Sequence, residues 1–207
     1  MYIPPAFTIT DEASIDAFMQ RYDFATLVSV PASGPVVTHV PVIVRREASG
    51  LVISGHLARR NAHWKCMDGT VAGLAIFSGP HGYISPTWYL RGPAVPTWNY
   101  SVVHAHGAPV VRDDRGFVET VVNDLAARYE SHRPRPWSLA DQPGEFTSGM
   151  LAAIVGFEMA VTKIEATFKL GQNRQAEDRD GAIDGLDREG SAEAAALAQF
   201  MRERRDV

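Results

Sequence analysis

Three runs of apolar and β-branched residues follow one another between residues 25 and 55: ATLVSV (25–30), PVVTHVPVIVRR (35–46) and LVISG (51–55). Only the turn-forming PASG and EASG separate them, so they read as consecutive strands. VAGLAIFSG (71–79) and HGYISP (81–86) read as two more, broken at Gly79-Pro80, and NYSVVHAHGAPVVR (99–112) as another. Within 151–170, Phe157, Met159 and Val161 alternate with Glu158, Ala160 and Thr162, as a long strand requires. Pro41 predicts an edge or a bulge in the second strand. Helical patterns lie mostly towards the ends. Residues 11–22 carry a stripe of Ile15, Phe18, Met19 and Tyr22 behind the capping Thr10; 114–130 and 191–205 are the other two, and 60–67 suits a short helix. A proline-rich loop, SHRPRPWSLADQPGE, follows the helix at 114–130. There is no internal repeat. This order predicts a mainly β fold, a small barrel with peripheral helices, and not regular βαβ units.

The 207 residues allow one well-buried domain with an appendage. We expect a barrel domain over 1–175 and a charged, Ala-rich helical tail over 176–207, packed on the barrel or trailing from it. The apolar and charged fractions, 45% and 21%, are those of an ordinary folded protein. No apolar run approaches the roughly 18–20 residues of a membrane helix. MYIPPAFTITDE lacks the basic start and apolar stretch of a signal peptide. The single Cys66 cannot form an intrachain disulfide, which fits a reducing, cytoplasmic setting. A formal net charge of −4 gives no global attraction to nucleic acid.

Residues 77–100, FSGPHGYISPTWYLRGPAVPTWNY, hold six aromatics, four prolines and three glycines, with Arg91 the only formal charge. Tyr83, Trp88, Trp98 and Tyr100 could border a flat heteroaromatic ring, with the prolines holding that wall in shape. A stiffened core or a dimer interface accounts for them equally well. GHLARRNAHWK (55–65) follows a strand and offers Arg59, Arg60 and Lys65, whose forks and ammonium suit phosphate; a solvated basic turn is the plainer reading. His104 and His106 share one strand face, as metal ligands can, but no third ligand is evident and no metal site is expected. Ser54 and Ser85 lack a Gly-x-Ser-x-Gly context, and neither a GxGxxG after a strand nor a GxxxxGK[ST] occurs.

Several motifs in order give a sharper reading. MYIP, THVP (38–41), SGHLARRNAHW (54–64), FSGPHGYISPTWY (77–89), VPTWNYSVVHAHG (95–107) and FKLGQNR (168–174) together resemble the PaiB family of FMN-binding negative transcriptional regulators. Gly171 departs from the serine expected in KLSQN. The resemblance implies an FMN-binding split β-barrel, six-stranded and Greek-key, that forms a homodimer with FMN at the subunit interface. It implies cofactor contacts from Thr38 and His39; from Ser54, Gly55, His56, Leu57, Ala58, Arg59, Arg60, Asn61 and Trp64; from Tyr83, Ser85, Trp88, Trp98 and Asn99; and from Gln172, Asn173 and Arg174. The pyridoxamine-phosphate oxidases of the same superfamily place a Ser-Arg-Lys on the FMN phosphate, which Ala58-Arg59-Arg60 matches in both cations. Direct DNA binding has little support, since no helix-turn-helix is evident and the helix at 114–130 carries Glu119 and Asp124 beside Arg128. An FMN-dependent oxidoreductase stays open as an alternative. So does a barrel that holds another flat ligand such as haem, with His39, His56 or His81 towards the iron.

Overall fold

A computed structural model describes residues 1–205. Seven strands, β1 (Phe24–Ser29), β2 (Val36–Glu47), β3 (Gly50–Ala58), β4 (Gly73–Ile84), β5 (Thr97–Gly107), β6 (Val110–Arg112) and β7 (Ile154–Lys169), form one sheet. Their order is β3-β2-β1-β4-β5-β7-β6, and β3 returns to pair with β7, so six strands close into a barrel with one strand added. The helices are α1 (Glu12–Arg21), α2 (Arg115–Glu130), α3 (Gly144–Ala152), α4 (Ala176–Glu189) and α5 (Ala192–Glu203). Among the described residues no helix is long and apolar enough to cross a membrane.

Pro41 proves to be neither an edge nor a bulge. β2 pairs with β1 up to Pro41↔Phe24 and with β3 from Val42↔Gly55 onward, so the missing N–H falls where the strand changes partner. The break expected at Gly79-Pro80 does not occur; β4 runs through it. The β1 ladder ends at Ile76, so Pro80 takes no bond from it. Gly79 has no room for a side chain, since a Cβ there would lie 2.4 Å from the Ser101 hydroxyl and 2.7 Å from the Phe18 ring. The strand expected over 99–112 instead divides before Pro109 into β5 and β6. Helices α3 and α4 were not expected as separate elements.

The chain forms two compact units. One comprises residues 19–77 and 104–164. Its core includes Ile53, Phe157 and Met159, and Ile43 meets Val121 and Leu125 of α2. Asp114 caps α2, accepting the Phe117 N–H at 2.8 Å. Ion pairs Arg45–Asp124 and Arg128–Asp23 tie α2 down. Burial and the neighbouring Asp23 carboxylate push the Tyr129 phenol up to about 12.

The other unit comprises residues 1–18, 78–103 and 165–207. Phe18, Phe168 and Phe200 meet there with centroids 4.8–6.0 Å apart. Ile183 and Leu186 of α4 and Leu197, Phe200 and Met201 of α5 are buried in it. Trp88 rests on α4 where that helix has glycines: a Cβ at Gly185 would lie 2.2 Å from the indole, and one at Gly181 would lie 2.2 Å from the Trp88 carbonyl oxygen.

Candidate functional site

The residues nominated by sequence fall into two groups, one in each unit. The first is the end of β3 and the 3-10 turn Ala62–Cys66 that follows. Ser54, Gly55 and Leu57 are buried. Gly55 admits no Cβ, which would sit 2.8 Å from the Phe157 ring, so these positions serve strand packing. Ala58 is exposed, and His56 lines a separate cavity described below.

Arg59 and Arg60 behave differently. The Arg59 guanidinium donates to both Asp113 carboxylate oxygens, at 2.8 and 2.5 Å, and to the carbonyls of Ala152 and Ile154 at 2.9 and 2.8 Å. Four of its five N–H donors are thus engaged within the chain, and the same pair holds the Asp113 carboxyl below its ordinary range. Arg60 is exposed, with no hydrogen bond or ion pair among the described residues. Lys65 lies exposed beside the Trp64 ring at 5.9 Å, and the Trp64 indole N–H donates to the Arg59 carbonyl at 2.9 Å.

Beneath these cations is a buried polar chain. His63 is 1% exposed. Its Nδ1 lies 2.8 Å from the Thr38 hydroxyl and its Nε2 lies 2.9 Å from the Ser29 hydroxyl. Asn61 accepts the His63 N–H at 3.0 Å and donates to Thr38 at 3.0 Å, so it both caps the turn and joins the chain. Burial lowers the His63 pKa, which keeps the ring neutral, able to donate through one nitrogen and accept through the other. Thr38 and Asn61 are therefore braces of this turn. His63 received no particular role from sequence; its nearness to Asn61 in an x-Asn-x-His capping pattern was the available signal.

His39 is exposed on the outer face of β2, bonded to Thr26 at 3.0 Å and stacked 6.4 Å from Phe24. Phe24 and Val37, 65% and 53% exposed, share that face, and neither β1 nor residues 36–41 of β2 contain Asp, Glu, Lys or Arg. His56 faces a cavity of about 320 Å³ whose walls include Trp137, Phe146, Met150 and Val122. Burial lowers the His56 pKa, so this imidazole too is neutral.

The second group lies in the other unit. Ser85 caps the 3-10 turn Pro86–Trp88, accepting the Thr87 N–H at 3.2 Å. Trp88 is held against α4, and Asn99 is buried with its amide 3.5 Å from the Met201 sulfur. Gln172 closes its own turn, accepting the Leu170 N–H at 2.7 Å and donating to the Phe168 carbonyl at 2.5 Å. Gly171 explains its departure from serine: its φ is +81°, in the left-handed region that suits glycine. Asn173 and Arg174 line a polar cavity of about 480 Å³ together with Arg91 and the start of α4. Arg174 stacks over Tyr89 at 4.4 Å, and Arg91 is exposed without a side-chain partner among the described residues. Asp178 is buried beside them and accepts the backbone N–H groups of Leu90 and Arg91 at 2.9 and 3.1 Å. Tyr83 and Trp98 line a different cavity, among carboxylates. His104 and His106 stand half-buried on one face of β5.

A family described as "Putative FMN-binding domain" matches residues 1–163. The chain belongs to this family. It is 34% identical over 205 residues to protease synthase and sporulation protein PAI 2 of Bacillus subtilis, covering 99% of this chain and 98% of that protein, which bears out the resemblance to the PaiB family. Among solved structures it is similar to the flavocytochrome Anf3 of Azotobacter vinelandii, with a TM-score of 0.58 at 14% identity over 84% of this chain and 75% of that one. It is also similar to an FAD and heme binding protein of Mycobacterium smegmatis, with a TM-score of 0.55 at 15% identity over 84% and 79% of the two chains. At such identities these likenesses concern the fold, which is the split barrel expected from the motifs.

Proposed function

We propose that the protein binds FMN and works as a flavin-holding regulator of the PaiB kind. One observation of the structure supports the cofactor above the others: Arg60 and Lys65 are exposed, without an ion-pair partner among the described residues, on a turn fixed by the His63 chain. A phosphate needs donors that are open and already placed. Arg60 and Lys65 would take the phosphate. Arg59 instead holds Asp113 and positions the strand end. Bound FMN would supply a reversible electron acceptor. The test is a titration with FMN and with riboflavin, which lacks the phosphate. FMN should bind at least about tenfold tighter, as charge-assisted hydrogen bonds imply. Equal affinities would sink the phosphate assignment.

The homodimer has support on the β1–β2 face. A two-fold contact must be self-complementary, and a face without formal charge meets a copy of itself without like-charge repulsion. Light scattering should give about twice 22.6 kDa. For DNA we expect weak, unselective contacts, with dissociation constants of about 10⁻⁴–10⁻⁶ M at physiological salt. Nanomolar, sequence-selective binding in an anisotropy titration would make direct repression the mechanism. Steady turnover with NAD(P)H would favour the oxidoreductase alternative.

A second reading, haem, draws on the His56 cavity. Of the three histidines considered for iron, His39 bonds Thr26 and His81 lines the acidic cavity, whereas His56 is neutral among apolar walls. A Soret band on addition of haemin that His56→Ala removes would establish it.

A further inference from the structure

Tyr83 of β4 and Trp98 of β5 meet edge to face, 6.3 Å between centroids and 75° between planes. Two rings at nearly a right angle make a corner. Both stay about half exposed, 45% and 55%, while the phenylalanines of the same unit are packed away. The corner opens on a cavity of about 320 Å³ that also holds Glu189, Glu193 and His81, with neither Lys nor Arg in its lining. That volume lies within the range of small-molecule sites.

The two carboxylates are open. Neither Glu189 nor Glu193 has an ion-pair partner among the described residues. Glu193 has a local reason for its place, in the first turn of α5, where the helix dipole favours negative charge. Glu189 has none. It is the last residue of α4, where the dipole disfavours a carboxylate, and the left-handed Gly190 then turns the chain into α5. A residue that breaks a local rule beside an exposed aromatic corner points to a ligand of the opposite sign.

We propose that this corner binds an organic ammonium ion. The ring faces attract the cation through their quadrupoles, and Glu189 and Glu193 supply the counter-charge. The site is independent of the flavin reading, because a phosphate beside two unpaired carboxylates would be repelled.

The test uses choline and its uncharged isostere 3,3-dimethyl-1-butanol as probes on the full chain, read by saturation-transfer NMR and tryptophan fluorescence. Choline should bind saturably and at least about tenfold tighter than the isostere. Trp98→Ala should remove binding. Glu189→Gln, which keeps the shape, should weaken choline by about threefold or more while leaving the melting temperature unchanged or raised. Equal binding of the two probes, no saturable choline binding, or indifference to Glu189→Gln would overturn the proposal. So would loss of choline binding in saturating FMN, which would return the corner to the flavin.

Discussion

Arg59 and Arg60 are neighbours in sequence and opposites in circumstance. The first is gripped by Asp113 and two carbonyls; the second faces water with no partner among the described residues. The same contrast separates the β3 turn, where most nominated polar groups brace the fold, from the cavity of Arg91 and Arg174, where charge is left open. A motif therefore marks where chemistry is concentrated, and hydrogen bonding then divides its residues into those that hold the turn and those that can hold a ligand.

The contrast can be broken most forcefully at the buried end. His63→Ala strands the buried Ser29 hydroxyl and leaves Thr38 with Asn61 alone, and thermal or urea unfolding should register a loss of about 2 kcal/mol. A loss below about 1 kcal/mol would mean water replaces the ring. Arg59→Ala should lower the unfolding midpoint by less than His63→Ala does, because the Asp113 pair is partly exposed and screened by water. It should weaken FMN and riboflavin alike. Arg60→Ala should do the reverse, leaving the unfolding midpoint in place and weakening FMN by about tenfold relative to riboflavin. If the two variants exchange phenotypes, the division between bracing and binding arginines is wrong.

The smallest effect is a slope. Burial lowers the folded-state pKa of His63, so the unfolded chain takes up a proton first as pH falls. The His63 contribution should be constant above about pH 6.5 and decline below it, by at most about 1.4 kcal/mol per pH unit, until its folded pKa is reached, with His56 adding a slope of the same sign. His63→Gln should make the slope between about pH 6.5 and that lower pKa shallower, leaving the part due to His56. An unchanged slope would show that the ring is charged or reached by water.

Much of this fold was legible because strand signals are local. The runs at 25–55 needed only their turns, and the motif order from MYIP to FKLGQNR carried the family. What was missed depends on partners distant in sequence. Nothing near Pro41 reveals that β2 changes neighbours there, and nothing in AEDRDGAIDGLDRE shows that its glycines receive a tryptophan from residue 88. Helix α3 was hidden because GEFTSGMLA carries two glycines and follows Pro143. At the site, sequence found Arg59 and Arg60 together but could not know that Asp113, 54 residues later, takes only the first. Nor could it know that the Asn99 amide meets the Met201 sulfur and the Gln172 amide meets the Phe168 carbonyl.

The seat of Trp88 on Gly181 and Gly185 bears on the order in which the chain can be finished. On the ribosome, the aromatic segment emerges long before the helix that receives it. Until α4 arrives, the indole has no place to rest, and it stays a sticky surface during synthesis. The two glycines lower the helix's own propensity to form, so α4 gains much of its order from the tryptophan it covers. Completion of the polypeptide and burial of its most adhesive stretch thus become coupled events, and a nascent chain halted before residue 185 would leave that surface open to chaperones and proteases.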